Sequence, residues 1–219
     1  MITIKSHIEK RLKNQPFMLE HIKNGMINIS ALARKIEPEL SMKIGRRINT
    51  NAIIMAIKRI EIKEINKSRK IKKEIKKIGD ITIKSGLIDY CFKNTIEFEK
   101  ISSKLNMGVL AKSDGFHTLS KGINETTIII SRNLQLFFEK KLKGIKYESK
   151  KENLSSITIQ LPIQNTETYG LYYSLLGQIA WRGINIVEVI STTNELSIVI
   201  KEDQTSTALE ALMEMKNNY

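Results

Sequence analysis

The chain has 219 residues, of which 41% are hydrophobic and 27% charged, so a packed core is affordable and wholesale disorder is excluded. A single cysteine, Cys91, excludes an internal disulfide and a multi-cysteine zinc site, and His7, His21 and His117 show no ligand spacing. No apolar run approaches the roughly 18 residues of a membrane span, and the opening MITIKSHIEK lacks the apolar core of a signal peptide. The expectation is a cytoplasmic protein without a membrane partner, a metal or a cofactor.

The formal net charge of +13 is unevenly spread. Residues 1–79 hold 20 Lys and Arg against 7 Asp and Glu, residues 80–150 hold 12 against 8, and residues 151–219 hold 4 against 8. The N-terminal third alone carries an excess equal to that of the whole chain. Such asymmetry points to a polyanion-facing module joined to one that is not.

The first third reads as helical. Helices around His7–Lys13 and Phe17–Lys23 flank Pro16, and Asn24-Gly25 ends that region. Next comes Ile29 to Ile36, with Ser30 suited to cap a short helix. Pro38 and a link carrying Lys43, Arg46 and Arg47 lead to a third helix, which Asn49 or Thr50 can cap. Ile53, Ile54, Ile57 and Ile60 form its buried side, and Ile60 to Ile78 follows as a helical connector striped by Ile71, Ile75 and Ile78. A short Ser-Ala-Leu-Ala-Arg-Lys-Ile helix, a connection and then a basic helix resemble a helix-turn-helix or winged-helix domain. Phosphate contact falls to Arg34, Lys35, Arg46, Arg47, Lys58 and Arg59, and contact with base edges to Asn49 and Asn51. Phe17 is the only aromatic residue here, so stacking on single strands is disfavoured and duplex DNA is the expected partner.

In the middle third, Ile81 to Phe92 is strand-like, Thr95 to Leu105 helix-like and Gly108 to Leu119 strand-like. Thr126 to Ser131 predicts another strand, Leu134 to Leu142 a helix, and Ile145 to Ser149 a last strand. The final third is clearer. Ile157, Ile159, Leu161 and Ile163 alternate with polar or turn-forming residues, as in a half-buried strand. Leu171, Leu175 and Ile179 share one helical face, and Gly183 ends that helix. Strands through Ile186–Ile190 and Leu196–Ile200 flank a turn at Thr192 to Glu195, and Ala208, Leu209, Leu212 and Met215 mark a closing helix.

That order, strand-helix-strand-strand-helix, is a split βαβ of the ferredoxin-like type. Segment 155–215 resembles an ACT domain, the small amino-acid-sensing module. It is most similar to those of aspartate kinases, through Ile184-Asn185-Ile186, then Ile190-Ser191-Thr192, and the Ala208 to Leu212 helix. An ACT domain closes with a fourth strand that this segment lacks, so the strand is missing or supplied from elsewhere. A bare edge would be paired or covered, which predicts a homo-oligomer, a dimer or higher. With the basic domain ahead of it, the chain also resembles archaeal ACT-containing regulators of amino-acid metabolism.

The fold expected is therefore α+β: a helical, helix-turn-helix-like domain over 1–78, a degenerate ACT-like lobe over 79–152 and an ACT domain over 153–219. The resemblance implies a free amino acid as ligand. It would be held by the strand-to-helix junction Gln164, Asn165, Thr166, Glu167, Tyr169 and Gly170 of one lobe, and by Gly183, Ile184, Asn185 and Ile186 of another. Backbone N–H groups at such a junction suit a carboxylate. No catalytic constellation stands out: there is no G-x-x-x-x-G-K-[ST] loop, G-x-S-x-G elbow or H-E-x-x-H helix, and nothing local marks Cys91 as a thiolate. The reading is a non-enzymatic, amino-acid-responsive transcription regulator. The rival is a DNA-independent subunit that controls an enzyme of amino-acid metabolism.

Overall fold

Isoleucine spacing decides the first four helices. A computed structural model describes residues 3–13, 16–102 and 115–218 of the chain. Helices α1 (Ile4–Lys13), α2 (Pro16–Lys23), α3 (Ile29–Ile44) and α4 (Thr50–Ile75) bury Ile8 and Leu12, Ile22, then Ala33, Ile36 and Leu40, then Ile53, Ile57 and Ile60. These positions recur at three- and four-residue steps, so each helix turns one apolar stripe to a common core.

Two expectations change here. Asn28, not Ser30, caps α3, its Oδ1 accepting from the Ala31 amide at 3.0 Å. The helix does not stop at Pro38 but continues through it to Ile44, ending at left-handed Gly45 with φ 76°. Pro38 removes one backbone donor. Buried Ile36 and Leu40 on either side hold the helix together across that gap. Lys43 thus lies on α3, where it pairs with Glu39 at 2.7 Å. The expected third helix and its connector are one element, α4.

The chain divides into two compact units, residues 1–73 and 74–219. The second contains β1 (Ile81–Lys93), α5 (Ile96–Ser102), β2 (His117–Lys121), β3 (Glu125–Ser131), α6 (Gln135–Lys141) and β4 (Ser149–Gln160). It continues with α7 (Leu171–Trp181), β5 (Ile186–Ser191), β6 (Glu195–Lys201) and α8 (Thr205–Asn218). The expected helix end at residues 103–105 and strand start at residues 108–114 lie outside the described residues. Residues 145–148 are not a strand; β4 starts at Ser149 and runs unbroken to Gln160.

Six strands form one antiparallel sheet in the order β2-β3-β1-β4-β6-β5. The element order strand-helix-strand-strand-helix occurs twice, and in each half the first strand is flanked by the third and then the second. On its other side each first strand pairs with the first strand of the other half, Ile81 opposite Ile159 and Cys91 opposite Ser149. This resolves the missing fourth strand. Its place beside β4 is taken by β1, so the bare edge on which the expected oligomer rested is filled from within the chain.

The central pair is bent by register shifts around Leu87, with Gly86 at φ 69° and Asn153 at φ 56°. Such bulges sharpen twist and bending. One face of β1 and β3 packs Ile88, Tyr90, Phe92, Ile128 and Ile130 against Phe98 of α5 and Phe138 of α6. The opposite face has its own small core of Leu87, Ile129, Leu154 and Val199. Residues 154–157 are consequently buried on both faces, including Ser155 and Ser156, where alternation predicted a half-exposed strand.

Because β4 depends on β1, a fragment of residues 149–219 should show no cooperative unfolding transition. Residues 74–219 should unfold in one. Urea melts followed by circular dichroism check both outcomes.

Candidate functional site

The strand-to-helix junction is built on a short hydrogen-bonded scaffold. After β4, buried Leu161 and Pro162 lead into a 3-10 turn over Ile163–Glu167, and Gly170 at φ 90° starts α7. That φ requires glycine or a strained side chain. Asn165 is 3% exposed, and its Nδ2 donates to the carbonyls of Pro162 at 2.9 Å and Thr193 at 2.7 Å. The Thr168 hydroxyl donates to the Gln164 carbonyl at 3.1 Å, and the Leu161 amide to Asn194 at 2.7 Å. The junction is thereby clamped to the β5–β6 turn. Gln164, Thr166, Glu167 and Tyr169 are exposed around it.

The second expected segment lies elsewhere. Gly183, at φ 70°, and Asn185 are exposed, Ile184 is buried and Ile186 is half-buried at the start of β5. Ile186 faces Ile200 and Ile200 faces Ser155, whereas the junction follows Gln160. β4 and β5 run in the same direction, so five residues of strand, about 17 Å, separate the two segments within this half. One copy of the chain does not bring them together.

A cavity of about 440 Å³ adjoins the junction, lined by Glu74 in the last turn of α4, by Lys77 just after it and by Gln160 and Gln164, among others. Glu74 and Lys77 were not expected at a site. The signal is nonetheless in the sequence: Glu74 falls on the stripe of Ile71, Ile75 and Ile78, at three- and four-residue steps, and a carboxylate on a buried stripe requires a partner.

On the face opposite Ile88 and Tyr90, Asp89 is 1% exposed, with Lys151 3.5 Å from one carboxylate oxygen and no partner for the other among the described residues. Burial pushes its carboxyl above the ordinary value, opposed by Lys151. Glu188 is raised as well, by burial and then by the charge of Asp89. The Cys91 thiol is also pushed up, by burial and by Glu125, which disfavours a thiolate. Among the described residues, no cluster of three metal-ligating side chains is present, and no helix is long and apolar enough to cross a membrane.

In the helical unit, Arg34, Lys35, Arg46, Arg47, Asn49, Asn51, Lys58 and Arg59 are all exposed. Arg46, Arg47 and Asn49 lie in the link from α3 to α4, and Asn51 in the first turn of α4. The Asn49 Oδ1 accepts from the Asn51 amide at 2.8 Å, so its carbonyl end caps α4 and its amide end remains outward. Acidic Glu39 gathers Arg11, Lys43 and His7 instead, leaving those six cations unpaired among the described residues.

No protein-family model matches the chain, and no curated protein matches it. Solved structures do. The regulatory subunit of aspartate kinase from Thermus thermophilus, in its ligand-free form, superposes with a TM-score of 0.51 at 12% identity, covering 63% of this chain and 97% of that one. A structure of aspartokinase alpha and beta subunits gives 0.51 at 13% identity, covering 64% and 99%. At these identities the likeness is one of fold.

Two outcomes follow from this geometry. Asn165→Ala removes two buried hydrogen bonds and should cost about 2–3 kcal/mol in a urea melt, while exposed Asn185→Ala should stay within about 0.5 kcal/mol. Asp89→Asn should stabilise the protein at pH 7 by about 1 kcal/mol or more. Since the folded value is raised, Asp89 makes wild-type stability fall as pH rises from the ordinary Asp range through that value. The advantage of the variant should therefore disappear below about pH 4, as melts across pH will show.

Proposed function

We propose that this chain is an amino-acid-responsive regulator whose basic helical part, residues 1–78, acts on duplex DNA in the manner of a helix-turn-helix domain. In this reading residues 79–152 and 153–219 are ferredoxin-like ACT lobes, interlocked through β1 and β4. The observation that carries it is the twice-repeated strand-helix-strand-strand-helix order with the two first strands paired to each other, on a fold like that of an aspartate kinase regulatory subunit. The unpaired cations around the α3–α4 link support the choice of DNA.

Gln164–Gly170 of one lobe and Gly183–Ile186 of another hold the amino acid, Asn185 gripping it by its side chain. Because one chain keeps those segments apart, the site forms between two copies, which makes the working state a dimer or higher. Catalysis is not part of the role. A second reading, a DNA-independent subunit that restrains an enzyme of amino-acid metabolism, is favoured by one observation: the first of the two similar structures is itself an enzyme's regulatory subunit.

A gel shift of the full chain on random duplex DNA at low salt separates the readings. Engagement of about five phosphates gives a slope of log K against log[salt] near −4.5, and removal of Arg46 or Arg47 should lower that slope by about 1. A flat salt response assigns the chain to the enzyme-subunit reading. A bound amino acid should change DNA affinity by about 5- to 150-fold, and DNA should change amino-acid affinity by the same factor. Loss of that coupling in Asn185→Ala is the expected result.

A further inference from the structure

We infer that Glu74 is the ammonium anchor of an amino-acid site in the cavity between the last turn of α4 and the β4–α7 junction. The inference rests on the sensor reading above and gives that sensor a binding group from outside its strands.

The side chain of Glu74 is 7% exposed, and one of its carboxylate oxygens, Oε1, pairs with Lys77 at 2.7 Å. The other, Oε2, is buried with no hydrogen-bond partner among the described residues. An ionised carboxylate accepts about four hydrogen bonds, and a buried oxygen left without any is costly. Glu74 lines a cavity of about 440 Å³, inside the roughly 300–1,000 Å³ range of small-molecule sites. A residue of the cavity wall thus carries an oxygen without a donor, and a rotation of the Glu74 side chain presents that oxygen to a ligand in the cavity.

The remaining walls narrow the chemistry of the donor. Lys77 is 55% exposed on the same wall, and the carbonyl of Gly79, another wall residue, accepts from the Lys216 Nζ at 3.0 Å. Those two cations favour an anionic group on the ligand, whereas a lone carboxylate beside Lys77 suits a divalent metal poorly. Gln160 and Gln164 add neutral amide groups, and Pro162 and Ile163 add apolar surface. One buried acid, nearby cations and neutral amides match a zwitterion: its ammonium on Glu74, its carboxylate toward Lys77 and its side chain along Pro162 and Ile163. Gln164 belongs both to this cavity and to the junction, so the two form one continuous site.

The experiment is isothermal titration of the full chain with each of the twenty amino acids. The arms are wild type, Glu74→Gln and Gln164→Ala, with the α-N-acetyl form of whichever amino acid binds as a further titrant. Expected are binding to wild type, a loss of about 10- to 100-fold in Glu74→Gln, and no measurable binding of the acetylated form, whose amine is gone. Equal affinity in wild type and Glu74→Gln overturns the Glu74 site and leaves the sensor reading standing. Full affinity for the acetylated form overturns it too, even if Glu74→Gln fails to fold. Should no amino acid bind wild type at millimolar concentration, the cavity holds water only and both readings fall.

Discussion

The antiparallel pairing of β1 with β4 is the interaction on which the sheet-bearing unit of this molecule depends. Neither half of the sheet has enough strands to cover its own first strand, and each solves the problem with the other's. Edge strands with unsatisfied backbone groups are a liability. Here two such edges cancel at the centre of the sheet, where residues 87–90 and 154–157 are all buried. The bulges at Gly86 and Asn153 give this pair its bend, which lets one sheet present a helix-covered face and a second, smaller apolar face.

That arrangement also explains where polar groups end up inside the protein. A strand buried on both faces has no solvent side for its alternating residues, so Ser155, Ser156 and Asp89 are carried inward by the register rather than by their own preference. Ser155 is satisfied by Ser85 at 2.9 Å. Asp89 is met only by Lys151 across the central pair. Glu74 arrives by a different route, on a helical stripe, and is likewise met by one lysine. Among the described residues the unit thus holds two buried carboxylates that are each half-satisfied, one on a residue that lines a cavity and one within the sheet.

Much of this was legible in the residues themselves. The 3.6-residue spacing of Ile and Leu marked the buried sides of α1, α3, α4 and α7, and alternation around Ile128, Ile157 and Ile198 marked the strands. The reading failed where local signals were outweighed by packing. Pro38 reads as a stop, yet Ile36 and Leu40 carry α3 past it. Ile145 to Ser149 reads as a strand closing one lobe and Ser156 to Ile163 as one opening the next; a single strand, β4, serves both. No local pattern records that sharing, because strand order within a sheet is a property of distant pairings. For the candidate site, the junction and its glycine could be found from the motif. The separation of Gly183–Ile186 from that junction could not, and neither could the cavity, which draws on residues some 90 positions apart.

The pairing of the two first strands sets a direction in time as well as in space. During synthesis β1 leaves the ribosome 67 positions ahead of the end of β4, a gap of roughly 3–13 s at about 5–20 residues per second. Once β3 has followed, the first half is a three-stranded sheet, β2-β3-β1, whose edge strand β1 stays bare on one side until β4 emerges. The second half never experiences this, since its neighbour is already waiting when β4 emerges. The N-terminal helices, whose contacts are local, need no such partner. The open edge of β1 is therefore most exposed to other chains while residues 94–149 are being made.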